Sequence, residues 1–98
     1  MTTDHQSMPR PLEGLRVLDV THIIAGPFCS MILADMGAEV IKIERPGTGE
    51  RSRINTPFVE GARGQVSARF LGVNRNKKSV SMDLRDPRCK QAFLSMVR

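Results

Sequence analysis

The sequence predicts an open α/β fold with a parallel sheet, because three consecutive segments form a strand–helix–strand unit. An apolar run over residues 15–20 is typical of a strand that is buried on both faces of such a sheet. A helix is predicted over 27–36, with Pro27 in its first turn and Gly37 closing it in a left-handed conformation. A second apolar strand over 40–45 stops before Pro46 and Gly47.

This unit also predicts where a ligand binds. A strand–helix–strand crossover is right-handed in nearly all proteins, so the loop at 21–26 and the pair Glu44-Arg45 should both emerge at the carboxyl edge of the sheet. Open α/β sheets bind their ligands at that edge.

The segments around the unit are less regular. Residues 1–10 are polar and without periodicity, which indicates a flexible N-terminal arm, and residues 11–98 are predicted to form the folded part. A turn over 11–14 leads into the first strand. The stretch 45–64 has no periodicity and reads as one long loop, which is uncommon in a compact domain unless the loop is part of a site or an interface.

The last third of the chain predicts another strand and helix. One helical turn is expected within 66–72, followed by a polar, basic turn over 74–78 and an alternating strand over 79–84. A final helix is predicted to begin at Pro87 behind an Asp86 cap, with one apolar stripe facing a core: Cys89, Ala92, Phe93, Met96 and Val97. Because this pattern reaches Arg98 without a stop signal, we expect a truncated domain whose natural chain continues.

Composition limits the function classes. Fifteen Lys and Arg residues against ten Asp and Glu residues permit an anionic partner, but four Phe with no Tyr or Trp disfavour nucleic acid, which usually requires aromatic stacking. Cys29 and Cys89 have the spacing of neither a zinc site nor a disulfide framework, so no metal and a reducing compartment are expected. No apolar run suits a membrane span or a signal peptide, which predicts a cytoplasmic protein without a membrane partner.

The first strand–helix turn does not fit a dinucleotide site, because Gly26 is its single glycine where G-x-G-x-x-G requires three. Arg45 could nevertheless meet the phosphate of a phosphorylated ADP. Ile23 and Ile24, together with backbone amides near a helix start, suit a long, thin ligand with amides of its own, such as pantetheine. The alternative is that both isoleucines are core residues.

Other reactive residues have simpler interpretations. Asp19 ends a buried strand, where an aspartate more often orders the neighbouring loop than acts as a nucleophile, and His22 is interpreted as a hydrogen-bonding loop residue. Cys29 is predicted to be a small core residue. The cations Arg75, Lys77 and Lys78 form a solvated turn or assist an anionic ligand.

Four motifs carry a resemblance to a known family. They are PLEGLRVLD at 11–19, AGPF at 25–28, LADMGAEVIKIERPG at 33–47 and NRNKKS at 74–79. In this order they closely resemble the start of the family III coenzyme A transferases, the CaiB/BaiF group that includes formyl-CoA:oxalate and carnitine CoA-transferases.

The resemblance implies an enzyme that moves coenzyme A between an acyl-CoA and a carboxylic acid through anhydride and thioester intermediates on an aspartate. It implies a Rossmann-like domain in an interlocked homodimer, no permanently bound cofactor, and coenzyme A or acyl-CoA as substrate. The catalytic aspartate would lie beyond residue 98, so the 98 residues alone should be inactive.

Position by position, the resemblance places coenzyme A against Ile23, Ile24 and Ala25, with Arg45 and Arg85 near its ADP end and Met82 packing nearby. Formyl-CoA transferase-like members have a glutamine at the position of Ile24, so an acyl group larger or less polar than formyl or oxalyl is expected. Two alternatives stay open: an α-methylacyl-CoA racemase-like enzyme of the same fold, and a phosphate-ligand binding module without chemistry.

Overall fold

The computed structural model describes residues 8–98, and its elements follow the predicted order with a 3-10 helix and a two-stranded hairpin added. Strand β1 (Arg16–Asp19), helix α1 (Ala25–Asp35) and strand β2 (Glu39–Glu44) form the first unit. A 3-10 helix (Arg51–Ile54), strands β3 (Phe58–Gly61) and β4 (Gly64–Ser67) and the short helix α2 (Ala68–Gly72) lie in the following crossover. Strand β5 (Lys77–Ser81) and helix α3 (Pro87–Val97) complete the chain.

The main sheet has three parallel strands in the order β1-β2-β5, so β2 is central. The predicted strand–helix–strand unit is therefore confirmed. Helix α1 begins two residues before Pro27, and Gly37 ends it with a φ of 109°, as its lack of a Cβ allows. A small core between helix and sheet forms around Ala34, Ala38 and Val40.

Burial differs between the two predicted apolar strands. In β2 every residue after Glu39 is buried, whereas Leu15 and Val20, which flank β1, are each 49% exposed. The prediction that the first strand is buried on both faces is therefore wrong for β1, and it is β2 that is buried along almost its whole length. The reason is position, because β1 is at an edge of the sheet and a central strand is covered more completely.

The prediction of one long loop over 45–64 is wrong for the second half of that stretch. Phe58–Gly61 and Gly64–Ser67 pair as an antiparallel hairpin, and Gly64 adopts a φ of 117° at the turn. Seven of the eight paired residues are exposed or half-buried, so no alternation between buried and exposed positions marks the strands in the sequence. The single helical turn predicted within 66–72 is present as α2.

The strand predicted over 79–84 begins two residues earlier, at Lys77, and ends at Ser81. Pairing with β2 sets these limits, because Val40 lies opposite Lys77 and Glu44 lies opposite Ser81. Lys77 and Lys78 therefore belong to β5 and not to the predicted basic turn. Residues 82–84 lie beyond the strand and are free to line the carboxyl edge.

The predicted cap of the last helix is confirmed, since the Asp86 side chain accepts a hydrogen bond of 2.8 Å from the Arg88 backbone N–H. The core predicted for its stripe is not formed within residues 8–98. Cys89, Phe93 and Met96 are half-buried, and Val97 is 62% exposed.

One face of the sheet carries buried charged side chains. Because side chains alternate along a strand, Val40, Lys42 and Glu44 of β2 point to the opposite face from Ile41 and Ile43. The strand register brings Asp19 of β1 and Ser79 of β5 to either side of Lys42 on this face. Helix α1 and the crossover cover it.

Within residues 8–98, no helix has the length and apolarity needed to cross a membrane. The same part of the chain contains no group of three or more His, Cys, Asp or Glu residues placed to hold a metal ion. The predicted N-terminal arm lies mostly outside the described residues.

Candidate functional site

A cleft of about 490 Å³ opens at the carboxyl edge of the sheet. Three segments line it: Val20 and His22 after β1, residues 43–46 at the end of β2, and residues 82–85 after β5. The edge at which the sequence predicts a ligand is therefore the edge at which the structure has a cleft.

The structure brings three of the six predicted site residues together, because Arg45, Met82 and Arg85 all line this cleft. Ile23, Ile24 and Ala25 follow His22 directly but do not line it. All three are exposed, with Ile24 53% accessible, so the alternative that the two isoleucines are core residues is wrong. They form a separate, largely apolar surface beside the cleft.

Arg85 is an exposed cation that pairs only with a carboxylate two residues away in the described part of the chain. Its Nε lies 3.1 Å from Asp83 Oδ1, and this hydrogen bond lowers the pKa of the Asp83 carboxyl. The Arg85 side chain is 92% exposed, and an exposed pair of this kind contributes little free energy. Arg85 can therefore turn to an anionic group in the cleft at small cost.

Glu44 fixes the turn that carries Arg45. Its buried carboxylate accepts two hydrogen bonds from Arg53, at 2.6 and 2.7 Å, one of 2.7 Å from the Glu50 backbone N–H, and one from the Ser79 hydroxyl. Burial alone would raise the pKa of Glu44, but the bonds from Arg53, Ser79 and Glu50 lower it to about 2. The ionised carboxylate thus holds residues 45–53 against the end of β2.

Asp19 orders the loop that follows β1, as predicted. Its carboxylate accepts hydrogen bonds from the Thr21 backbone N–H at 2.8 Å, the Ser30 hydroxyl at 2.6 Å and Lys77 Nζ at 2.9 Å, and also from the Thr21 hydroxyl. Burial opposes its ionisation, but the donors Ser30, Thr21 and Lys77 keep the pKa far below the usual range of an aspartate. A buried carboxylate with this many donors is a poor nucleophile.

His22 is a hydrogen-bonding loop residue, since its Nδ1 accepts from the Arg51 backbone N–H at 3.3 Å. The prediction of a buried Cys29 is wrong, because this thiol is exposed. The buried positions of α1 are Pro27, Ser30, Met31 and Ala34, which repeat at helical spacing, and Cys29 lies off that stripe.

The three cations of the predicted basic turn do not line the cleft. Arg75 pairs with Asp35 at 2.7 Å, Lys78 pairs with Glu39 at 2.9 Å, and Lys77 is buried against Asp19. The solvated interpretation is correct for Arg75 and Lys78. Lys77 is instead a structural cation, because its side chain is only 2% exposed.

Sequence reasoning missed the buried residues Lys42 and Glu50, each 1% exposed, which lie behind the two loops at this edge. Lys42 Nζ lies 3.4 Å from Glu50 Oε1 and 3.7 Å from Asp19 Oδ2. The signal for Lys42 was a charged residue inside the apolar segment Val40–Ile43, because lysine is almost never fully buried without a partner. Nothing in the sequence marks Glu50, which lies in an irregular segment.

The fold and the site define an α/β domain with a cleft at the carboxyl edge of its sheet, lined by arginines that suit an anionic group. Comparison with known proteins gives the family. The sequence model of CoA-transferase family III matches residues 12–98. The chain therefore belongs to CoA-transferase family III, and its α/β fold is that of the family's N-terminal part.

Two curated relatives and one solved structure show the extent of the match. Succinyl-CoA:glutarate CoA-transferase of Mus musculus is 53% identical over 88% of this chain and 19% of the relative. Succinyl-CoA:mesaconate CoA-transferase of Haloarcula hispanica is 51% identical over 88% of this chain and 22% of the relative. A CaiB/BaiF family protein from Brucella suis has a TM-score of 0.81 at 34% identity, over 88% of this chain and 23% of that chain. This chain spans about a fifth of the length of these relatives.

Proposed function

We propose that this chain is the coenzyme A-binding N-terminal part of a CoA-transferase that moves coenzyme A between an acyl-CoA and a carboxylic acid. Family membership supports the reaction class, and the names of both curated relatives are those of CoA-transferases. The observation that carries the proposal is the cleft lined by both Arg45 and Arg85, which follow two adjacent parallel strands.

The cleft and the neighbouring apolar loop bind different parts of coenzyme A. Arg45 and Arg85 bind the phosphates of the ADP moiety, and Met82 packs against it. Ile23, Ile24 and Ala25, exposed beside the cleft, contact the pantetheine arm and lead it toward the acyl group. Since Arg53 is neutralised by Glu44, it does not compete for the phosphates.

Replacing Arg45 with alanine in the complete enzyme is expected to weaken coenzyme A binding about tenfold or more. A charged hydrogen bond to phosphate contributes about 1.5–3 kcal/mol, and 1.4 kcal/mol is a factor of ten in affinity. Isothermal titration calorimetry with coenzyme A measures the change. Arg88→Ala is the matched control, because Arg88 is 93% exposed on α3 and does not line the cleft. Equal affinities of wild type and Arg45→Ala would remove Arg45 from the site.

The chemistry proposed for the complete enzyme uses an aspartate beyond residue 98, which forms the anhydride and then the thioester. The aspartate is inferred from the family resemblance, as are the Rossmann-like domain and the interlocked homodimer. The names of the relatives favour transfer over the racemase-like and non-catalytic alternatives. Coenzyme A is then a substrate and not a resident cofactor, and the cytoplasmic location stays a prediction.

Substrate choice is expected to favour acyl groups larger than formyl or oxalyl. Ile24 has no amide with which to hydrogen-bond a small polar acyl group, and the two relatives are named for succinyl-CoA with glutarate or mesaconate. Initial rates with succinyl-CoA and a panel of acids test this: four- and five-carbon acids should react faster than oxalate. An enzyme that is fastest with oxalate would contradict the role given to Ile24. Ile24→Gln should shift the preference toward oxalate.

A further inference from the structure

Two loops at the carboxyl edge are joined through one buried ion pair. Lys42 in the central strand donates a hydrogen bond of 3.2 Å to the Thr21 backbone carbonyl, and its Nζ lies 3.4 Å from Glu50 Oε1. Thr21 belongs to the loop after β1, and Glu50 belongs to the crossover after β2. Since Lys42 and Glu50 are each 1% exposed, this ion pair is shielded from water.

Hydrogen bonds to neighbouring backbone and side-chain groups fix the position of Glu50. Its Oε2 accepts from the Ser52 backbone N–H and caps the 3-10 helix, while its own backbone N–H donates to Glu44 at 2.7 Å. The next residue, Arg51, donates its backbone N–H to His22 Nδ1 at 3.3 Å. The start of the 3-10 helix therefore supports residues 21 and 22, directly at His22 and through Lys42 at Thr21.

The supported loop contains an unfavourable backbone conformation. Ile23 has a φ of 71°, in the left-handed region that a β-branched residue rarely adopts. Such a conformation persists only where the surrounding structure determines it. Burial alone would raise the pKa of Glu50, but the hydrogen bond from the Ser52 backbone N–H lowers it, so the carboxylate stays ionised opposite Lys42. The bond from Lys42 to Thr21 and the bond from Arg51 to His22 fix the two residues that directly precede Ile23.

We propose that Glu50, held by Lys42, is a positioning residue that keeps Ile23 in its left-handed conformation and so presents the backbone of Ile23, Ile24 and Ala25 to coenzyme A. The inference rests on the proposed function, because it gives a role to a loop assigned there to the pantetheine arm. Glu50 is buried and does not line the cleft, so it acts through Ile23 and not by touching the ligand.

A double-mutant cycle in the complete enzyme tests the inference. Glu50→Gln should weaken coenzyme A binding about tenfold, as expected for coupled neighbours. In an Ile23→Gly background the same substitution should change the affinity less than threefold, because glycine adopts positive φ without support. The KM for acyl-CoA should rise with kcat nearly unchanged, whereas general destabilisation would lower both the active fraction and the apparent kcat.

Asn76→Gly is the matched control background. Asn76 is the other non-glycine residue with positive φ in the described part of the chain, at 64°, and it lies next to the amino end of β5. Glu50→Gln should keep its full effect there. An equal effect of Glu50→Gln in the wild-type, Ile23→Gly and Asn76→Gly backgrounds would overturn the inference.

A crystal structure of the Glu50→Gln enzyme separates this inference from the proposed function. Ile23 should move to negative φ whether or not coenzyme A binds, and an unchanged φ at Ile23 would overturn the positioning role. Failure of the wild-type enzyme to bind coenzyme A would overturn the proposed function and with it the ligand named here, while the φ of Ile23 in the Glu50→Gln structure would still decide whether Glu50 positions Ile23. If Glu50→Gln does not fold, Lys42→Arg replaces it in the same cycle. This substitution keeps the positive charge but changes its position. Its effect on coenzyme A binding should again be smaller in the Ile23→Gly background.

Discussion

Asp19→Asn is expected to lower the free energy of unfolding by about 3–5 kcal/mol, the usual cost of removing one partner of a buried ion pair. Asp19 is 2% exposed, and its carboxylate lies 2.9 Å from Lys77 Nζ and 3.7 Å from Lys42 Nζ. Asparagine has a similar shape but no charge, so both buried lysines would lose their shared counter-ion. Urea unfolding followed by circular dichroism measures the loss.

Asp35→Asn is the matched control, because Asp35 also pairs with a cation but at the surface. Its side chain is 30% exposed and its partner Arg75 is 63% exposed, so water screens the pair and it contributes little to stability. A loss at Asp19 no larger than the loss at Asp35 would show that the buried lysines do not depend on Asp19.

The 98 residues produced alone are expected to show no CoA-transferase activity, even where they bind coenzyme A. β1 and β5 are open edges of the sheet, and no residue of α3 is buried in the described chain. A parallel sheet normally has both faces covered. The aspartate implied by the family resemblance lies outside these residues, and covalent transfer requires a nucleophile.

Mass spectrometry checks this directly after incubation with succinyl-CoA and a panel of carboxylic acids. No new thioester should form, while the complete enzyme under the same conditions supplies the positive control. Thioester formation that disappears in Asp19→Asn, at a temperature where that variant remains folded, would place the active site within these residues and make the dismissal of Asp19 wrong.

The strand–helix–strand core could be predicted because its signals are local. Proline in the first turn, Gly37 after the helix and the apolar segments on either side depend only on neighbouring residues. The β3–β4 hairpin could not be predicted, because almost all of its residues are exposed or half-buried and no apolar alternation marks its strands. The start of β5 at Lys77 depends on pairing with Val40, which is remote in sequence.

The same distinction applies to the candidate site. Arg45 follows a recognisable strand, so its place at the carboxyl edge could be predicted from the sequence and is confirmed. The buried Lys42–Glu50 ion pair behind that edge could not be predicted, because the two residues come together only after the crossover folds back onto β2. The positive φ of Ile23 is likewise a product of tertiary contacts, since the sequence alone favours an extended isoleucine.

The charged face of β2 has a consequence for how the strands find their alignment. A shift of one residue would turn Lys42 and Glu44 to the face of Ile41 and Ile43, and would place the isoleucines against Asp19 and Lys77. Buried charges would then lose their partners, and the cost would far exceed that of misaligned apolar side chains. An all-apolar strand would tolerate neighbouring alignments more easily. Lys42 therefore excludes shifted pairings while the sheet assembles.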